Sequence, residues 1–309
     1  MATGRFRSDA GLNTRMLLTM FLLGLLYVAA IAVVITYTTV SPILVLVVAG
    51  GFLAVQYWYS DKIALYSMGG RLVTPEEAPE LHGIIDRLCA MSDLPKPAVA
   101  IADSDLPNAF ATGRTAKRAV VCATTGILRR LTPEELEGVL AHELSHVAHR
   151  DVAVMTIASF LGVLAGMITR LVFYSGMYGG FGNRGRDDRD NNGGAAMVLV
   201  VVGVSIVVYA VSFVLIRTLS RYRELAADRA GAILTGRPAA LASALTKVTG
   251  DMARIPTRDL RAAEAFNAFF FTPAIAGGFS LSSLFSTHPS LQVRLAGLDR
   301  VAAELGRTL

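Results

Sequence analysis

Charge is scarce in this chain: 17% of its 309 residues are Asp, Glu, Lys or Arg, against about a quarter in an ordinary soluble protein. That excludes a solvated disordered chain and argues against a wholly soluble one. Cysteine is scarcer still. Cys89 and Cys122 cannot build a disulfide scaffold, and two thiols suit a reducing, cytosol-facing compartment, although the count alone allows one bridge between them. A formal net charge of +5 raises nucleic acid as a partner, but no basic run is interleaved with aromatics as that binding requires. The basic residues report membrane topology instead.

Apolar residues, by contrast, make up 53% of the chain and gather into runs. Residues 16–36 carry no charge and follow Arg5, Arg7 and Arg15, and the run has the length of a bilayer-spanning helix. A cleavable signal peptide has a shorter apolar core, and here a second run, 43–59, follows at once and ends in Tyr57, Trp58 and Tyr59. The pair predicts a transmembrane hairpin with an interfacial aromatic anchor. Two more runs, 152–174 and 196–216, flank a Gly-, Asn- and Arg/Asp-rich loop at 179–194. Arg150, Arg217, Arg221 and Arg223 crowd the ends away from that loop, so the positive-inside rule puts the loop outside and the N-terminus and residue 61 onward in the cytoplasm. Arg170 interrupts the third run and has to snorkel or face protein; buried core helices or a re-entrant pair are the other reading of these two runs.

The expected organisation is therefore a mainly α membrane protein with four transmembrane helices: a hairpin at 1–60, a globular segment at 61–150, a second hairpin at 151–219 and a second globular segment at 220–309. Thr74-Pro75-Glu76-Glu77 and Thr132-Pro133-Glu134-Glu135 each combine an N-cap, a proline at the first helical position and a capping-box glutamate, and predict helices starting at 75 and 133. Residues 97–102 and 119–123 have strand character, and between them Asn108-Ala109-Phe110-Ala111-Thr112-Gly113 is a small-residue segment closing on a turn signal.

Three of the five histidines fall between positions 142 and 149. His142-Glu143-Leu144-Ser145-His146 is an H-E-x-x-H sequence on the second capped helix. Helical spacing aims His142 and His146 from one face, where they can share a tetrahedral Zn²⁺, with Glu143 placed to act on a water. His149 is too far along the axis to join them, about 10 Å from His142 at 1.5 Å per residue. A later segment must supply the third ligand. In Arg221-Tyr222-Arg223-Glu224-Leu225-Ala226-Ala227-Asp228 the two carboxylates stand at i, i+4. One can bind the metal while the other takes the second N–H of a ligating histidine; the same spacing beside arginines also describes a solvated helix face.

These motifs, together with Glu224-Leu225-Ala226-Ala227-Asp228-Arg229-Ala230-Gly231-Ala232, Ser286-Thr287-His288-Pro289 and the 108–113 segment, resemble the HtpX-type integral-membrane zinc metalloproteases, relatives of the CaaX prenyl-protein endopeptidases. The resemblance covers nearly the whole chain and is thinnest between residues 250 and 285. It implies a zincin-like α+β catalytic domain built from the two globular segments and one Zn²⁺ per subunit. It further implies His142, His146 and Glu224 as metal ligands, Glu143 as general base, Asp228 as partner of a ligating histidine, and His288 and Arg294 as polar groups completing the site. His288-Pro289 on its own reads equally as a helix start. Asn108, Ala109, Phe110, Ala111, Thr112 and Gly113 are expected to form an exposed edge strand on which substrate pairs through its backbone, which suits cleavage of varied sequences.

The activity so implied is a membrane-bound endopeptidase for membrane or misfolded proteins, multi-pass in a bacterial inner membrane, with the lipid bilayer and protein substrates as partners. Cleavage of prenylated peptides, and a zinc-binding scaffold without catalysis, are the competing readings. An intact Glu143 opposes the second. A transporter needs ionisable groups near mid-membrane, and the first two runs have none.

Overall fold

The computed structural model describes residues 10–37, 68–113, 115–150, 191–254 and 288–309, with single positions between 43 and 66 and at 154. The third apolar run apart from residue 154, most of the 179–194 loop, Ser286 and Thr287 lie outside the described residues. Two compact units are formed, one from Met1–Asn13, Trp58–Ala153 and Ser220–Leu309, the other from Thr14–Tyr57 and Val154–Leu219.

The second unit contains most of helix α1 (Ala10–Tyr37) and the first part of helix α5 (Asn191–Thr235). Among the described residues these are the two helices long and apolar enough to cross a bilayer. Leu17, Phe21, Leu25 and Val28 on α1, and Ile206, Val207 and Val214 on α5, are exposed. Such a surface is disfavoured in water and natural in lipid, where a helix satisfies its own backbone polar groups. The apolar part of α5 ends at Ile216, and Arg217, Arg221 and Arg223 follow within two turns of the same helix.

In the first unit a four-stranded sheet has the order β1-β2-β4-β3, with β1 at Gly70–Leu72, β2 at Ala98–Ala102, β3 at Ala109–Thr112 and β4 at Val120–Thr124. β2 and β4 are parallel, and the outer strands run antiparallel to them. The pleat sorts the side chains. Val99, Ala109, Val121 and Ala123 enter the main core with Leu81, Ile85, Leu88, Val139, Leu140 and Leu144, while Ala100, Ala102, Phe110 and Cys122 form a small cluster on the other face.

Helix α4 (Pro133–Ala148) is the axis of the unit and packs on β3, on α2 (Pro79–Ser92) and on α6 (Pro238–Arg254). Its start is the one expected. Thr132 Oγ1 accepts from Glu135 N–H at 3.3 Å, and Glu135 Oε2 accepts from Thr132 N–H at 3.0 Å. Glu135 also ties α4 to α6, accepting from Ser243 Oγ at 2.6 Å and Lys247 Nζ at 2.8 Å. Short helix α3 (Thr125–Arg130) follows β4, and α7 (Leu291–Glu304) packs on α6.

The earlier capping sequence behaves differently. Glu77 Oε2 does accept from Thr74 N–H at 2.8 Å, but residues 75–77 form only a turn and α2 begins at Pro79. Pro79 has no N–H to continue the ladder, and it forces Ala78 out of the helical region, to φ −141° and ψ 63°. The second proline resets the start.

Candidate active site

His142 and His146 stand one turn apart on α4, buried, with their rings edge to face at 4.9 Å between centroids. Their Nε2 atoms are 3.3 Å apart. From α5, Glu224 places Oε2 at 3.6 Å from His142 Nε2 and Oε1 at 3.5 Å from His146 Nε2. Around an ion with bonds of about 2.0–2.1 Å, tetrahedral ligands are about 3.3–3.4 Å apart, and the two imidazole nitrogens, with one Glu224 oxygen near each, already stand close to that spacing. The donor chemistry agrees: two imidazoles and a carboxylate converge lone pairs in a buried place, a repulsive arrangement that a cation relieves. Among the described residues, this is the group of His and acidic side chains that could hold a metal ion.

Behind the donors lies a chain of polar contacts. His142 Nδ1 is 2.9 Å from Asp228 Oδ1, one turn beyond Glu224 on α5. An Nδ1–H donated to Asp228 leaves His142 Nε2 as the bare donor turned toward Glu224 and His146. Arg294, buried on α7, donates from Nε to Asp228 Oδ2 at 2.7 Å and from Nη2 to Oδ1 at 2.6 Å. Burial opposes a charged Asp228, but Arg294 outweighs it and holds the carboxyl below the ordinary range. Burial likewise opposes a charged His142; Asp228 and Glu224 reverse the sign and lift the ring to about 9, so a cation at Nε2 has to displace a proton. His288 Nδ1 lies 3.0 Å from Glu224 Oε2, so the histidine expected to complete the site meets it at the Glu224 carboxylate.

Glu143 is buried beside the donors, and burial raises its carboxyl above the usual range even with His142 and His146 near it. Its Oε2 accepts the backbone N–H of Ala111 at 3.0 Å. No side-chain motif announces that bond, because the donor is main chain and the register of β3 decides which amide faces Glu143.

Residues 108–113 do include an edge strand, but not an exposed one: Ala109, Phe110 and Thr112 are buried and Ala111 is partly so. The small side chains at 109 and 111 pack into the core under α4, which brings Ala111 within reach of Glu143. Asn108 is fully buried, its N–H donating to Thr124 Oγ1 at 2.9 Å and its carbonyl accepting from Thr124 N–H at 2.9 Å. Thr124 thus anchors the strand's entry, a role nothing in the sequence marks. Gly113 ends it at φ +126°, where a Cβ would lie 2.6 Å from Arg118 O, so the turn there requires glycine. His149 turns back onto its own helix, Nδ1 on Ser145 O at 2.9 Å, and His82 contacts Val73 O at 3.1 Å.

The family model described as Peptidase family M48 matches residues 75–302, a stretch that takes in β2, β3, β4, α4, the carboxylate pair of α5 and Arg294. The chain is similar to "Protease HtpX homolog 1" of Streptomyces coelicolor, 62% identical over 302 residues, 98% of this chain and 96% of that one. It is 55% identical to "Protease HtpX homolog" of Moorella thermoacetica over 96% of this chain and 97% of the other. Among solved structures, the crystal structure of S. mikatae Ste24p shares the fold at a TM-score of 0.52 and 20% identity, over 94% of this chain and 67% of that one. A match of that extent, around an H-E-x-x-H helix already facing a third donor, makes this chain a metalloprotease that belongs to peptidase family M48.

Proposed function

We propose that the chain is a zinc-dependent endopeptidase, anchored by four membrane spans, that cuts membrane or misfolded proteins at the cytoplasmic face of the cell membrane. The observation that carries this reading is the buried cluster of His142, His146 and Glu224, whose imidazole nitrogens are 3.3 Å apart and each within 3.6 Å of a Glu224 oxygen, next to Glu143. Zinc is the ion that such a nitrogen- and carboxylate-rich tetrahedral set selects. When bound, it supplies Lewis acidity toward a water and a peptide carbonyl.

The remaining chemistry belongs to side chains. Glu143, poised upward by burial, takes a proton from the attacking water and returns it to the leaving amine. The Ala111 N–H holds that carboxylate in one orientation. Asp228 fixes the His142 tautomer, and Arg294 keeps Asp228 ionised. His288, in contact with Glu224, orients that ligand and is the side chain assigned to steady the developing oxyanion. Among the described residues the outer edge of β3 has no strand partner, and an extended substrate is placed along that edge beside the Ala111 N–H to Glu143 bond, with residues 108–113 as its cradle.

The membrane setting is supported by the apolar helices and by chain continuity. His146 stands a few residues before the third apolar run, and Glu224 a few residues after the fourth. Metal analysis of the detergent-solubilised chain, with cleavage of an unfolded protein by wild type and Glu143→Ala, tests the reading. One zinc per chain in both, with activity lost by about a hundredfold or more in the variant, is expected. A metal-free wild type, or an equally active variant, refutes it; a preference for prenylated peptides moves the substrate class.

A further inference from the structure

The backbone contact at Gly231, between the two helices that carry the donor side chains, has no part in the chemistry above. Gly231 follows Asp228 by three residues and Glu224 by seven on α5, so helical spacing turns it to the same face as both carboxylates. That face meets α4 at the ligand itself. A Cβ built on Gly231 would lie 2.9 Å from the backbone N of His142 and 3.2 Å from its Cα and from the Ala141 carbonyl carbon.

A distance of 2.9 Å is shorter than Cβ atoms tolerate, and the obstacle is helix backbone, which cannot rotate aside as a side-chain tip can. Any side chain at 231 therefore has to push α5 away from α4. The displacement acts on two contacts at once, because Glu224 faces His142 Nε2 at 3.6 Å and Asp228 faces His142 Nδ1 at 2.9 Å. Glycine is otherwise a poor choice inside a helix. We infer that Gly231 is a positioning residue for the metal site: its missing side chain sets the helix approach at which Glu224 and Asp228 reach the histidines.

Gly138 is a built-in comparison. It sits on α4 one turn before His142, and a Cβ there would meet the backbone and Cβ of Leu241 at 3.3 Å, a milder approach than 2.9 Å that asks α6, which supplies none of the three donors, to give by a few tenths of an ångström.

The inference rests on the metal reading proposed above. The test uses full-length wild type, Gly231→Ala and Gly138→Ala in detergent. Zinc affinity is measured by competition with a chelator, visible spectra are taken with Co²⁺ as a substitute ion, and thermal unfolding is followed without metal. Gly231→Ala is expected to fold without metal, to bind zinc about tenfold or more weakly, and to shift the Co²⁺ ligand-field bands. Gly138→Ala should stay within about twofold of wild-type affinity. A Gly231→Ala protein with wild-type affinity and spectrum overturns the inference. So does one that fails to fold with or without zinc while Gly138→Ala folds, since the glycine then serves the fold, and so does an equal loss in both variants. A wild type that takes up no zinc removes the metal reading and this inference together.

Discussion

Arg294 grips Asp228 with two hydrogen bonds of 2.7 and 2.6 Å, and the same carboxylate faces His142 Nδ1 at 2.9 Å. The pair is buried, so each charge depends on the other. Arg294→Ala leaves Asp228 uncompensated and is expected to destabilise the protein by about 3–5 kcal/mol. Asp228→Asn, which keeps shape and loses charge, should cost less stability but lower metal affinity about 10- to 100-fold. Thermal unfolding and chelator competition on the two variants separate these effects; equal metal affinity in Asp228→Asn and wild type contradicts the role given to Asp228.

Ala111→Pro removes the N–H that Glu143 accepts at 3.0 Å, on the outer side of an edge strand where proline takes away no sheet partner. Metal content should be normal and cleavage reduced by about tenfold or more. A folded, metal-loaded variant with unimpaired cleavage removes both the orienting bond and the substrate-strand role.

Glu135 links stability to pH. Burial alone would raise its carboxyl, but Lys247, Ser243 and the Thr132 N–H bring it below the ordinary value. A carboxyl depressed in the folded state stabilises above its unfolded pKa of about 4.3 and loses that contribution as pH falls through the folded value. Glu135→Gln should therefore be less stable than wild type at pH 7, by less than about 2 kcal/mol. The gap should narrow below about pH 4. A pH series of melting curves that stays parallel is the contrary result.

Both natural thiols are buried and unpaired with each other. Burial pushes Cys122 up to about 12 and, with Asp86 adding to it, Cys89 up to about 11, so neither presents thiolate near neutrality. Alkylating reagents at pH 8 should leave the native chain unlabelled and modify both cysteines after denaturation. That silence makes topology testable on the natural background. Cysteines introduced at Gly185 and at exposed Arg118 should label from opposite sides of the membrane; labelling from one side removes the four-span layout.

Periodicity and motif chemistry made much of this protein legible in advance. Uncharged stretches long enough for a bilayer stand out because lipid tolerates nothing else, and α1 and α5 follow them. The 132–135 capping box marks the start of α4 because every group it uses is local. H-E-x-x-H placed two histidines one turn apart with a glutamate beside them because four residues of helix are a fixed geometry. Where a local signal misled, at residues 74–77, another local residue, Pro79, overrode it.

What only the tertiary structure decided is everything that joins distant segments. The carboxylate pair of α5 was visible, and resemblance named the ligand; the approach of α5 to α4 determines that Glu224 faces both imidazoles while Asp228 meets the back of one. The two-bond clamp from Arg294 on α7 belongs to the same packing. The Ala111 amide on Glu143 depends on strand register, and the tolerance at Gly231 on interhelical distance. Sequence determines which chemistry a residue can perform and which way it faces on its own element. Which partner it meets is decided by how elements pack, through contacts spread over the whole core.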